Sequence, residues 1–212
     1  MTPPRVAILI SGRGSNLAAL IEDAEAERYC EIALVISNRP NAPGLALAAG
    51  RGIESLTLDH KTFATREAFD AALDAALRAR KIDVVALAGF MRILSGGFVA
   101  RWLGRLINIH PSLLPAFPGV KVHEQALAAK VKVSGATIHF VVPELDSGPI
   151  IGQASVPVHP HDTPETLAAR VLEAEHKLYP LCLRMVCEKR VRLESSRAAF
   201  AANGPVILGF GD

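Results

Sequence analysis

Val6 to Ile10 is an unbroken apolar run of strand length, ending at Ser11-Gly12-Arg13-Gly14-Ser15-Asn16 before a helical stretch that begins at Leu17. Strand, glycine-rich turn and helix in immediate succession open a β-α-β unit, the feature that most constrains this chain. The rhythm then repeats. Glu31 to Ser37 reads as a second strand, Gly44 to Gly52 as a short helix and Ile53 to Leu58 as a short strand. Thr65 to Arg80 carries Phe69, Ala72, Leu73, Ala76 and Leu77 on one helical face. Asp83 to Phe90 is almost wholly apolar, as a strand buried on both sides of a parallel sheet must be. A helix over Gly96 to Trp102 and a strand over Leu106 to His110 complete the alternation. The pattern predicts an α/β fold: a single-domain, open, twisted, mostly parallel sheet with helices on both faces.

After His110 the rhythm changes. Residues 111–119 hold three prolines and cannot form regular structure. A helix near His123 to Lys130 follows. Gly135 to Val142 and Ile150 to Val158 then read as strands joined by the loop Pro143 to Pro149, short enough to make them antiparallel neighbours. The sheet therefore gains an antiparallel C-terminal portion. Thr163 opens a long helix to about Lys189, interrupted or kinked near Pro180, and Val191 to Glu194 is a last edge strand. The expected organisation is one domain over residues 1–195 and a loosely ordered tail over 196–212.

Half of the residues are hydrophobic but only 5% are aromatic, so Ala, Val, Leu and Ile supply the core. A net charge of +2, with its cations scattered, gives no case for nucleic acid or an anionic membrane as partner. No apolar run approaches the ~18 residues of a membrane span, and the N-terminus lacks the apolar stretch of a signal peptide. Cys30, Cys182 and Cys187 form no C-x-x-C pair and read as reduced thiols. No Cys/His cluster offers a metal site. These features place the chain in the cytoplasm.

Several residues carry possible chemistry. Gly12 and Gly14 let the backbone turn tightly and aim N–H groups at a ligand in front of a helix N-terminus, while Ser15 and Asn16 can cap that helix or bind a phosphate. The turn lacks the Lys-Ser/Thr of a nucleotide-hydrolysing loop. It also lacks the third glycine of a dinucleotide fingerprint, since Leu17 stands there, and Ser37-Asn38-Arg39 supplies no acid at the end of the second strand. A single phosphate fits better, with a plain capped turn as the alternative. Asn108 and His110, two apart at a strand's carboxyl end, point to the same side and can address one reacting atom. An amide N–H there can stabilise an oxyanion while an imidazolium donates a proton. Taken locally, His110 fits a structural hydrogen-bonding role better than a catalytic one, His139 fits such a role equally well, and Asp146 fits a turn residue better.

Five segments, in this order, resemble the phosphoribosylglycinamide formyltransferases of the folate-dependent formyltransferase family. They are residues 8–17, Leu87 to Leu94, Asn108 to Pro115, Gly135 to Val141 and Glu144 to Ile150. The likeness runs from about Val6 to Glu194. It implies a Rossmann-like fold and transfer of a formyl group from 10-formyltetrahydrofolate to glycinamide ribonucleotide, with no metal, no nucleic acid and a monomer or homodimer. It implies a catalytic triplet of Asn108, His110 and Asp146, with His139 as a further active-site candidate. Gly14, Ser15, Asn16 and Arg66 match the phosphate site, and Glu175 matches a ribose contact. Met91, Arg92, Ile93 and Leu94 match the strip flanking the folate pterin, over which the loop from Val142 to Asp146 closes.

The chain departs from this pattern at three places. Val120-Lys121-Val122 stands where many relatives carry another histidine, Lys130 replaces a frequent glycine, and Leu172 replaces a basic residue of some relatives. A formyltetrahydrofolate hydrolase would share the core, but the strand beginning at Val6 leaves no room ahead of it for the regulatory domain of those enzymes. Methionyl-tRNA formyltransferases add a C-terminal domain not seen here. A nucleotide-binding oxidoreductase or regulator would need the missing fingerprint.

Overall fold

The computed structural model describes residues 2–202 and 204–210. The chain forms two compact units, the first ending at Ile107 and the second beginning at Asn108.

The first unit contains β1 (Arg5–Ile10), α1 (Ser15–Glu27), β2 (Glu31–Ser37), α2 (Pro43–Gly50), β3 (Ser55–Thr57), α3 (Arg66–Ala79), β4 (Val84–Leu87) and α4 (Gly96–Arg101). β1 pairs in parallel with both β2 and β4, and β2 with β3, giving the order β4-β1-β2-β3. In the central β1, Val6 to Ile10 are completely buried. Burial of such side chains stabilises by roughly 1.5–3 kcal/mol each. Helix α3 buries Phe69, Leu73 and Leu77, spaced by four along one face, as its apolar periodicity requires. In α4, Phe98 stacks with Trp102, whose Nε1 donates to Asp74 at 2.8 Å. β4 is shorter than the apolar run Asp83 to Phe90, because the chain turns out at Gly89 with φ +73°.

The second unit starts inside β5 (Leu106–His110). It continues through α5 (Val122–Ala128), β6 (Val133–Phe140), β7 (Ile150–Pro157), α6 (Pro164–Cys187), β8 (Val191–Glu194), β9 (Arg197–Phe200) and β10 (Val206–Gly209). Its sheet order is β10-β7-β6-β5, with β6 and β7 antiparallel and β10 parallel to β7. The α/β class, parallel pairing in the first part and an antiparallel C-terminal pair all follow the sequence pattern.

Two details differ from the sequence reading. Helix α6 runs unbroken through Pro180. The proline costs about 3 kcal/mol, but Leu167, Val171, Leu178, Tyr179, Cys182 and Leu183 are all fully buried around it, and their packing outweighs that cost. Beyond Ser195 the structure has strands where a loose tail was expected. β8 and β9 form a separate antiparallel hairpin, turned by Ser195 and Ser196, both at positive φ. Two serines do not announce such a turn, which usually calls for Asn or Gly.

The start of α6 is strongly held. Thr163 and Thr166 form a reciprocal capping box, and Arg170 pairs with both oxygens of Asp162 at 2.8 and 2.9 Å. The hydrogen bonds from Arg170 first, then those from the His159 amide and the Thr166 hydroxyl, hold the Asp162 carboxyl well below the usual carboxylate range. A depressed folded pKa gives stability that is full above the unfolded value, near 3.9. That stability is lost as pH falls through the folded value. Asp162→Asn should therefore lower Tm at pH 7, and the gap to wild type should narrow as the pH falls below about 4. A gap in thermal melts that stays constant with pH would contradict this linkage.

Candidate active site

In the first unit, the carboxyl end of β1 runs into the glycine turn. Gly14 sits in the left-handed region at φ +82° and is the N-cap of α1. A Cβ on it would meet the Gly44 Cα at 3.0 Å, so the turn and the start of α2 approach as only glycines allow. Ser15 and Asn16 are the first two residues of α1, not its caps, and no side chain caps this helix. A helix N-terminus without a side-chain acceptor suits an anion. Arg66 opens α3, with Thr65 as its N-cap, and is exposed.

The turn is tied to the segment after β4. The Ser11 hydroxyl donates to the Asn38 side-chain oxygen at 2.6 Å and accepts the Met91 amide N–H at 2.7 Å. Ser11 and Asn38 are both buried. Nothing in the sequence singles them out, because a buried Ser–Asn pair becomes visible only when β1, β2 and the post-β4 segment converge. The Arg92 guanidinium lies 4.5 Å over the Phe69 ring, while Met91 and Ile93 are 64% and 58% exposed.

The second unit brings Asn108, His110, His139 and Asp146 together. Asn108 and His110 share one face at the end of β5, and His139 comes from the adjacent strand β6. His139 Nδ1 lies 2.9 Å from the Phe140 carbonyl, which can only accept, so Nδ1 carries the hydrogen. Nε2 is then a lone pair that accepts from Asn108 Nδ2 at 3.3 Å. This fixes the orientation of the Asn108 amide and leaves its second Nδ2 hydrogen for another acceptor. Burial pushes the His139 pKa down, which suits the neutral ring; the Phe140 carbonyl and the Asp146 carboxylate oppose that shift.

Both nitrogens of His110 face oxygen. Nε2 donates to the Phe117 carbonyl at 2.9 Å, and Nδ1 lies 3.5 Å from Asp146 Oδ2. That oxygen also accepts the Gly119 amide N–H at 2.8 Å. Asp146 itself has φ +50°, so its loop bends sharply to turn the carboxylate inward, and its side chain is only 8% exposed. His123, at the start of α5, also has its pKa lowered, by burial first and by His110 second. The array thus holds one amide donor, one ionisable imidazole, one carboxylate and one neutral imidazole, a combination fitted to acyl transfer with proton movement. Phe117 and Gly119 belong to this scaffold through their backbones alone, which no residue-type argument could reveal.

None of the remaining candidates has a recorded hydrogen bond or ion pair to that array among the described residues. Glu175 is buried on α6, and Val142 is half-buried just beyond β6. Lys121 is engaged by Glu124 at 3.1 Å. Lys130 has φ +55°, a conformation glycine adopts without strain, and Leu172 is half-buried on α6. Among the described residues, no three His, Cys, Asp or Glu side chains cluster as metal ligands, and no helix is long and apolar enough to cross a membrane.

Comparison with known proteins agrees with this chemistry. Residues 4–183 match the formyl transferase family. The chain is 43% identical to a phosphoribosylglycinamide formyltransferase of Escherichia coli (strain K12), over 91% of this chain and 92% of that one. It superposes with a TM-score of 0.90 on the crystal structure of phosphoribosylglycinamide formyltransferase from Anaplasma phagocytophilum, at 41% identity over 98% of this chain and 99% of that one. It is also 51% identical, over 89% of its length, to the trifunctional purine biosynthetic protein adenosine-3 of Bos taurus, of which it spans only 19%.

Proposed function

Given that the chain belongs to the formyl transferase family, among its phosphoribosylglycinamide formyltransferases, we propose that it transfers the formyl group of 10-formyltetrahydrofolate to the primary amine of glycinamide ribonucleotide, in purine synthesis in the cytoplasm. The observation that carries this reading is the array itself: an amide held in one orientation by a neutral histidine, beside a histidine–carboxylate pair. In this reading residues 1–195 are the formyltransferase domain.

When bound, the folate supplies a formyl carbon at which the amine forms a new C–N bond while the bond to the folate nitrogen breaks. Asn108 donates its free Nδ2 hydrogen to the formyl oxygen as that oxygen gains charge, a contact worth roughly 2.7–4 kcal/mol. His110 holds the proton taken by the leaving nitrogen, exchanging its Phe117 carbonyl contact for that acceptor, and the proton lost by the attacking amine passes through water and restores the one His110 gives up. Asp146 orients His110 and balances its charge. The open start of α1 and Arg66 hold the ribonucleotide phosphate, and Glu175 its ribose. The exposed apolar side chains of Met91 and Ile93 in the first unit suit contact with a flat heteroaromatic ligand.

The test is a formyl-transfer assay on purified protein with 10-formyltetrahydrofolate, run with and without the ribonucleotide. Release of tetrahydrofolate only in its presence is expected. Equal release in its absence would make the protein a hydrolase, and no release under either condition would sink the reading.

A further inference from the structure

A cleft of about 560 Å³ opens over the carboxyl ends of β1, β2 and β3 in the first unit. Its charged lining consists of Arg13, Arg39, His60, Lys61 and a single carboxylate, Asp59. It includes none of Gly14, Ser15, Asn16 or Arg66. The volume falls within the roughly 300–1,000 Å³ range of small-molecule sites, and the carboxyl ends of parallel strands are where open α/β sheets bind ligands.

The cations of the first unit divide into those that meet a carboxylate and those that do not. Arg5, Arg51, Arg78, Arg80 and Arg101 each meet a carboxylate. Among the described residues, Arg13, Arg39 and Lys61 meet none within ion-pair distance. Asp59 does not serve them. It accepts the Lys61 backbone N–H at 3.0 Å, capping a 3-10 turn over His60–Thr62, and lies 3.9 Å from His60 Nδ1. The same Nδ1 donates to the Asn38 carbonyl at 2.8 Å, which fixes the ring and leaves Nε2 without a partner among the described residues. Asn38 is in turn bound by Ser11, so His60 is anchored to the floor of the unit. Pro40, Ala42 and Pro43 supply a rigid, weakly polar wall. Three unpaired cations around one concave surface repel one another and concentrate anions.

We propose that this cleft is a second anion-binding site, distinct from the one that holds the ribonucleotide phosphate, and that it takes the phosphate group of a small phosphorylated metabolite. The three cations neutralise the dianion, and His60 Nε2 is placed to contact it. This goes beyond the formyl-transfer reading; anion binding in the cleft stands without that reading, and only its distinctness from the ribonucleotide's phosphate seat rests on it.

Isothermal titration calorimetry with inorganic pyrophosphate, at low ionic strength, tests the site directly. Wild type should bind, and Arg39→Ala/Lys61→Ala should bind at least tenfold more weakly. Both changes are at exposed side chains, so the fold should survive. Adenosine 5′-monophosphate should compete with pyrophosphate, showing that the site accepts a phosphate ester. The double variant should keep kcat/KM for the ribonucleotide within twofold of wild type. Absence of binding to wild type, or equal binding by the variant, would overturn the proposal. So would pyrophosphate binding with which the nucleotide does not compete. A kcat/KM that fell in step with pyrophosphate affinity would identify the cleft as the ribonucleotide's own phosphate seat, and would overturn it too.

Discussion

Replacing His110 with Ala is expected to lower kcat by about 10²–10⁴-fold while leaving KM for both substrates nearly unchanged. The proton it supplies matters only as the bond to the folate nitrogen breaks, so its loss falls on the transition state and not on binding. Asp146→Asn should act in the same direction, because Asp146 Oδ2 faces the Nδ1 side of His110 and an amide cannot balance an imidazolium. The double variant should be little worse than the poorer single one, as expected of groups that act as a unit. Steady-state kinetics with variants of verified fold decide the matter. Near-full activity in Asp146→Asn would break the assigned roles, and so would losses that multiply in the double variant.

Gly148→Ala should damage both stability and catalysis, although this residue touches no substrate in the proposed mechanism. A Cβ at this position would overlap the Phe140 carbonyl oxygen and come within 3.2 Å of His139 Nδ1. That carbonyl is the acceptor that fixes the His139 ring, and His139 in turn orients Asn108. Accommodating the methyl group means displacing either strand β6 or the loop that carries Asp146. Overpacking of this kind costs about 3 kcal/mol at the upper end of its usual range. In a chain of this size that corresponds to a fall in Tm of roughly 6–12 °C. At a temperature where the variant remains folded, kcat should still be at least tenfold low. Wild-type Tm and kcat together would show that the loop has slack the structure does not suggest.

Much of the fold was legible because its signals are local. The apolar run of β1 and the four-residue spacing of Phe69, Leu73 and Leu77 each define an element from its own residues. Asn108 and His110 were legible as a pair for the same reason, being two apart on one strand. The rest depended on distance in sequence. Asp146 looks like an ordinary turn residue until its positive φ and its approach to His110 are seen. Ser11 and Asn38 are small polar residues whose buried hydrogen bond joins segments that no periodicity relates. The capping role allowed for Ser15 and Asn16 was misplaced by one residue, since Gly14 takes the cap position and leaves the helix end open. The hairpin after Glu194 was missed because its turn is made by two serines forced into positive φ, a choice set by strand pairing.

Trp102 is the only tryptophan in the chain, 1% exposed, and its indole N–H is tied to Asp74. Intrinsic emission excited at the red edge of the indole band therefore comes from the first unit alone. The second unit is silent there, its buried Tyr179 absorbing at shorter wavelength. Denaturation followed by this one fluorophore and by far-ultraviolet dichroism in parallel would thus compare one half of the chain with the whole. Coincident curves would mark the two units as one cooperative folding block, and separated curves would make the division at Ile107 a thermodynamic one as well.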